Sequence, residues 1–292
     1  MIESNLKVVF ITMGVTNVFT SLLEAGIQII GVIESRSKNA TNRSLSLQSF
    51  CQESSIPYYY MDNGCDELLE SWVRELEPDL IVINSMSELL KKNILDIPNK
   101  GCINLHPTLL PKYRGGYPFF WTFYDMDLNP GITVHYIDEG EDTGDIIYQE
   151  SYPIPLGCTE EQLIDILETQ NGVRLLLQAI TDIEKDSAPR IKQTKDSPTV
   201  RARKISPNEF PTIIDWEKWE IERIWHLLRG TQNWLDVFDF TEIPQYVSKW
   251  RIQDYTKEEF STPVEFGKVY SKDDEYLVYC GQGKITMELI FE

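Results

Sequence analysis

Gly101-Cys102-Ile103-Asn104-Leu105-His106-Pro107 is a short apolar run that ends on polar side chains and a proline. As a strand it presents Asn104 and His106 together, because side chains two residues apart point to the same face. A carboxamide beside an imidazole is a donor pair suited to stabilising an oxyanion. The run is one of a series. KVVFITMG (7–14), IQIIGVIE (27–34), PYYYMD (57–62) and LIVINS (80–85) precede it, all rich in β-branched and aromatic residues. Helical patterns lie between them, as in CDELLESWVREL (65–76), where Leu68, Leu69, Trp72, Val73 and Leu76 share a face. Strand–helix alternation predicts an α/β fold, a mostly parallel sheet with helices on both faces. Ligands of such sheets sit beyond the carboxyl ends of the strands, where Asn104 and His106 lie.

After Pro107 comes a loop of prolines, glycines and aromatics, TLLPKYRGGYPFFWTF (108–123). PGITVHYID (130–138) and GDIIYQESYPI (144–154) read as strands joined by the acidic turn EGEDTGD (139–145). Thr159 and Gln162 form a capping box for a helix running through Ile180. Residues 186–210 are polar and read as a linker or an extended crossing segment. IDWEKWEIERIWHLLRG (214–230) reads as a helix closed by Gly230. EYLVYC (275–280) and KITMELIFE (284–292) flank Gly281-Gln282-Gly283, a hairpin turn in a small β-rich tail. The expected division is a catalytic domain over 1–185, a linker over 186–212, and a C-terminal helix with a small β domain over 213–292.

Composition narrows the function. The 292 residues are 42% apolar and carry a net charge of −19. A tight nucleic-acid binder usually presents a basic face, so neither nucleic acid nor an anionic membrane is an expected partner. No apolar run approaches a membrane span and no secretory leader is legible at the N-terminus, which places the protein in the cytoplasm. Five scattered cysteines without a CxxC pair predict neither disulfides nor a metal centre. No GxGxxG, P-loop, HExxH or G-x-S-x-G motif occurs. His135 and His226 lie inside a strand and a helix and read as structural. The acidic turn lacks the ligand order of an EF-hand. One of its carboxylates, not selected by the residues alone, is placed to orient a histidine.

INLHPTLLPKYRGG (103–116) followed by PGITVHYIDEGEDTGDIIY (130–148) resembles the folate-dependent formyltransferases, whose motif is Asn-x-His-x-x-x-Leu-Pro with a later Asp-x-Gly. The resemblance covers residues 5–185. It implies a Rossmann-like core, N10-formyltetrahydrofolate as cosubstrate, no metal, and Asn104, His106 and Asp142 as the catalytic set. By the same resemblance the pterin lies along residues 84–90, with Ser85, Met86, Ser87 and Leu90 as contacts, and along the acidic loop through Asp138, Glu141 and Asp142. The segment 213–234 and the tail resemble the methionyl-tRNA and nucleotide-sugar branches; the glycinamide ribonucleotide branch lacks them. The tRNA branch carries a basic insertion after the second strand, whereas SRSKNATNRSLSLQSF (35–50) holds only Arg36, Lys38 and Arg43. The expected acceptor is therefore a nucleotide-linked amino sugar, a dTDP-4-amino-4,6-dideoxyhexose for instance. Lys112, Arg114, Arg201 and Lys204 are candidates for its diphosphate, with Arg203 and Arg229 behind them. Tyr113, Tyr117 and Trp121 are candidates to flank its sugar or base. Methionyl-tRNA formylation, folate hydrolysis and a non-catalytic binding module are the alternatives. The sugar branch also implies a homodimer.

Overall fold

The computed structural model describes residues 4–36, 45–241, 243, 246–260, 264–272 and 275–291. Lys38 and Arg43 lie outside the described residues. The chain forms two compact units, each discontinuous in sequence: residues 1–118, 130–152 and 164–202, and residues 119–129, 153–163 and 203–292.

The first unit is built on seven strands, β1 (Val8–Thr12), β2 (Ile29–Ser35), β3 (Tyr58–Met61), β4 (Leu80–Asn84), β5 (Cys102–His106), β6 (Gly131–Tyr136) and β7 (Ile146–Ser151). Their spatial order is β3-β2-β1-β4-β5-β6-β7. Pairing is parallel from β3 through β5 and antiparallel for β6 and β7. Every residue of β1 and β4 is buried, the signature of strands covered on both faces. Strand order reverses between β1 and β4, so the carboxyl ends of β1, β4 and β5 border the crevice where such sheets bind ligands.

The helix Glu67–Leu76 starts at Asp66, whose side chain accepts the Leu69 amide, and buries Leu69 and Val73. Leu68, expected on the same apolar face, is 71% exposed. The predicted helix after Thr159 forms, and its capping box closes through Gln162 Oε1 to the Thr159 amide (3.0 Å) and Thr159 Oγ1 to the Gln162 amide (3.3 Å). The helix is not uniform. Glu160–Ile164 and Val173–Glu184 are α-helical, but Asp165–Gly172 winds as a π-helix. The reason is legible in the buried positions. Leu163, Leu167, Gly172, Leu176 and Ile180 share the core side, and the step from Leu167 to Gly172 is five residues rather than four. Gly172 faces β5 so closely that a Cβ there would lie 3.0 Å from Leu105 Cδ2 and 2.9 Å from the Leu167 carbonyl.

Residues 191–202 form an extended strap of the first unit, as the crossing-segment reading of 186–210 describes. Ile191 bridges Ile146, Thr199 Oγ1 accepts the Tyr113 amide (2.7 Å), and the amides of Tyr117 and Ala202 close a pair with Ala202 O and Arg114 O.

The second unit carries an antiparallel sheet of β8 (Val247–Lys257), β9 (Val269–Lys272), β10 (Glu275–Cys280) and β11 (Gly283–Phe291), in the order β8-β11-β10-β9. A hairpin turn forms where expected, but it spans only Gly281-Gln282, since Gly283 already pairs with Cys280 as the first residue of β11. The preceding helix spans Ile221–Thr231, shorter than the sequence pattern suggested. Residues 215–219 instead form a turn, with Asp215 Oδ1 accepting the Lys218 amide (3.1 Å) and Asp215 O the Trp219 amide (3.0 Å). Among the described residues, no helix is long and apolar enough to cross a membrane.

Candidate active site

β5 and β6 together place the polar cluster. Their antiparallel register sets Asn104 opposite His135 and His106 opposite Thr133. His106 ends β5 and is 4% exposed. Its Nε2 lies 3.1 Å from the Tyr113 carbonyl, which can only accept, so Nε2 carries a proton. Nδ1 is left facing Asp142 Oδ2 at 3.7 Å. Asp142 adopts a left-handed backbone (φ 53°) within the acidic turn and accepts the Gly115 amide at 2.9 Å. Gly144 explains the glycine of the Asp-x-Gly pattern: a Cβ at that position would lie 1.8 Å from the Tyr136 carbonyl. Only glycine lets the turn approach β6 closely enough to bring Asp142 to the histidine.

His135, structural by its place inside a strand, is buried yet belongs to the same cluster. Its Nδ1 lies 2.8 Å from the Tyr136 carbonyl and so carries the proton. Burial pushes its pKa down to about 4, with Asp142 pulling it up and His106 pushing it down. The neutral ring therefore offers a lone pair at Nε2, 3.2 Å from Asn104 Nδ2 and 3.7 Å from Asp142 Oδ1. A lone pair there accepts one N–H of Asn104, which fixes the flip of the carboxamide and leaves its second N–H for a ligand. No local sequence signal marks this role; it depends on the register of two strands.

Gln193 is a second residue the sequence did not single out. Its Nε2 donates to Asp142 O (2.9 Å) and Gly144 O (2.7 Å), while its Oε1 accepts from Arg114. The strap thus holds the acidic turn from behind. Arg114 is occupied in the same network, with further donation to the carbonyls of Thr194 and Lys195.

The other sequence candidates fall into two groups. Met86 and Ile137, the residue before Asp138, pack against one apolar cluster that includes Leu90. Ser85 turns the chain out of β4 with a left-handed backbone (φ 75°). Ser87 is tied to the end of β2, its hydroxyl donating to Arg36 O (2.6 Å) and its amide to Ser35 Oγ (3.1 Å). Asp138 accepts from the Gly140 amide and Thr143 Oγ1. Glu141 is paired with Arg201 on the surface. Tyr113 is buried, Tyr117 is half-buried, and Lys112 lies on the same loop. Trp121 and Lys204 belong to the second unit, where buried Trp121 donates Nε1–H to Arg203 O (2.9 Å). Arg203 pairs with Glu209, and Arg229 donates to the carbonyls of Gly157 and Ile252. Among the described residues, no group of three or more His, Cys, Asp or Glu side chains is arranged to hold a metal ion.

Residues 6–180 match the family model described as formyl transferase. The chain belongs to the formyl transferase family. A relative within it, the methionyl-tRNA formyltransferase of Alkaliphilus oremlandii (strain OhILAs), is 32% identical over 274 residues, 92% of this chain and 86% of that one. The methionyl-tRNA formyltransferase of Syntrophus aciditrophicus (strain SB) is 39% identical over 168 residues, 56% of this chain. That match spans about half the length of the Syntrophus protein. Among solved structures, the N-formyltransferase from Helicobacter canadensis in complex with folinic acid and dTDP-3-aminofucose shares the fold. Its TM-score is 0.66 at 17% identity, covering 98% of this chain and 99% of that one.

His226 is structural within the second unit of this formyl transferase. Its Nδ1 accepts the Gly157 amide (2.9 Å), its ring packs against Phe123, and burial pushes its pKa down from 6.5 to about 4. The unfolded chain binds a proton below pH 6.5 that the folded one refuses, so this contribution is present above that pH and lost as pH falls toward 4. The loss is on the order of 3 kcal/mol. In His226→Gln, which keeps an acceptor near Gly157, the urea midpoint is expected to fall less between pH 7 and 4.5 than in the wild type. Equal falls would contradict this account of His226.

Proposed function

We propose that the chain is a formyltransferase that moves the formyl group of N10-formyltetrahydrofolate to the amine of a nucleotide-linked amino sugar. The observation that carries the reading is the convergence of Asn104, His106 and Asp142 at the carboxyl end of β5. Formyl transfer to an amine has two demands: stabilise the tetrahedral oxyanion and carry one proton from the attacking nitrogen to the departing one. The N–H of Asn104 that His135 leaves unused donates to the oxyanion. Nδ1 of His106 accepts the proton of the attacking amine, Asp142 stabilises the resulting imidazolium, and His106 returns the proton to the leaving nitrogen. His135 positions Asn104. Pterin contacts are assigned to the backbone of Ser85–Ser87, the side chains of Met86 and Leu90, and the loop from Asp138 through Glu141 to Asp142. With the Ser87 hydroxyl and the Asp138 carboxylate already bonded within the protein, backbone groups are the better partners for the pterin edge.

For the acceptor, Lys112, Tyr117 and Arg201 are the proposed contacts. Arg114 is reassigned to holding the strap, and Tyr113 to packing. Two observations support a small amine over a tRNA. The segment 203–292 contains 11 Lys and Arg against 17 Asp and Glu, a balance that repels RNA. The Helicobacter canadensis protein, alike over almost the whole length of both chains, was solved with a dTDP-linked amino sugar. A cytoplasmic homodimer without a nucleic-acid or membrane partner completes the proposal. The second reading, methionyl-tRNA formylation, is favoured by the sequence identity to the Alkaliphilus oremlandii relative.

A panel of dTDP- and GDP-linked amino-dideoxyhexoses, together with methionyl-tRNA, separates the two. Turnover of an amino sugar nucleotide with none of the tRNA is the expected result. Turnover of the tRNA alone overturns the acceptor assignment.

A further inference from the structure

The mechanism leaves the buried acid Glu168 unused. Glu168 sits in the π-helical turn, 9% exposed, with Oε2 accepting from Asn84 Nδ2 at 3.3 Å. Asn84 ends β4, is wholly buried, and pairs in register with Thr12 of β1 at the point where strand order reverses. Its Oδ1 has no hydrogen-bond partner. An ionised Glu168 makes this arrangement doubly unfavourable, burying a charge and stranding an acceptor beside it. A proton on Glu168 resolves both: the carboxylic acid donates O–H to Asn84 Oδ1 and accepts N–H from Nδ2. The residue after Asn84 is Ser85, whose left-handed backbone opens the stretch assigned to the pterin.

We propose that Glu168 is a positioning residue that, in its protonated form, clamps Asn84 and thereby holds the Ser85–Leu90 stretch in the form that binds the folate. This rests on the reading of that stretch as the folate site. Loss of the proton releases the clamp, so folate affinity falls as pH rises.

The surroundings support a single titrating group. Burial pushes the pKa of Glu168 up to about 7, opposed by the Asn84 hydrogen bond. The π-helical turn packs against β4, β5, β6, helix Asn17–Glu24 and helix Val173–Glu184. The titratable groups of those elements are Cys102, His106, His135, Tyr136, Glu24, Arg174, Asp182 and Glu184, and Asp165 lies on the turn itself. None of them contributes to the shift of Glu168. His135, down at about 4, stays neutral throughout the relevant range.

The test measures the Kd of folinic acid for the whole chain between pH 6 and 8.5. The wild type is expected to weaken about tenfold over that range. Glu168→Gln, whose amide reproduces the donor–acceptor pattern of the protonated acid, is expected to bind with the tight low-pH affinity throughout. The wild-type Tm should also decline relative to Glu168→Gln from pH 4.5 to 7, because the folded acid holds a proton that the unfolded one has released. If Glu168→Gln does not fold, Asn84→Ala serves instead, with weak binding at every pH expected. A shifted Tm profile with pH-independent wild-type affinity overturns the clamp and leaves the folate reading standing. No folinic acid binding by any of these proteins at any pH overturns both.

Discussion

His106→Asn is expected to lower kcat by about 10²–10⁴-fold while leaving the affinity for the formyl donor within a few-fold of wild type. The imidazole is held at two atoms, Nε2 to the Tyr113 carbonyl and Nδ1 toward Asp142. In the proposed mechanism that geometry leaves Nδ1 to accept and return the transferring proton. Asparagine is polar and close in size, so the pocket beside Tyr113 does not collapse. It has no titratable nitrogen, so the relay is lost. The stretch 85–90, proposed to hold the folate, follows another strand end and is anchored independently through Ser35 and Ser87. Steady-state production of tetrahydrofolate, with donor affinity measured separately, checks the split. A kcat within tenfold of wild type would contradict the role of His106.

Asp142→Asn is expected to cost about 10²–10³-fold in kcat, again with the donor still bound. The asparagine oxygen can keep the Gly115 amide bond, and Gln193 still holds the turn through the backbone of residues 142 and 144. What disappears is the negative charge facing Nδ1 of His106. Removing it also lets the pKa of His135 fall further, since Asp142 is the largest of the influences that pull it up. His135 stays neutral, and Asn104 keeps its orientation. The substitution therefore removes charge without removing order. In the proposed mechanism His106 and Asp142 act as one proton-handling unit, so the double variant should be little worse than the weaker single. Multiplicative losses would show that the two act separately.

These residues differ in how far they were legible beforehand. Asn104 and His106 follow from the period of a strand and the rule about strand ends, both local. Asp142 sits among several acids, and the residues alone do not choose it; the choice becomes physical once Gly144 is seen against the Tyr136 carbonyl. The sequence places His135 inside a strand, where nothing local distinguishes it. Its proximity to Asn104 arises from the β5–β6 register, a long-range pairing. The same reason hides Gln193, which reaches the acidic turn from a stretch whose polar composition suggested a linker.

The strands of the first unit were plain because burial on both faces leaves continuous apolar runs. The helices were less so. Leu68 fits an apolar stripe on paper but projects into solvent, since Asp66 starts the helix and Leu69 and Val73 set its buried face. The π-helical turn requires counting a five-residue step that a 3.6-residue template smooths over. Arg114 and Trp121 read as ligand contacts from their types, whereas the structure gives both internal hydrogen-bond partners.

The most direct measurement is the fate of the formyl carbon in a reaction of the purified chain with N10-formyltetrahydrofolate and a dTDP-linked amino sugar. The expected result is one N-formylated sugar nucleotide for each tetrahydrofolate released, with negligible formate. Tetrahydrofolate released with equal formate and no formylated amine would contradict transfer and make the site a hydrolase.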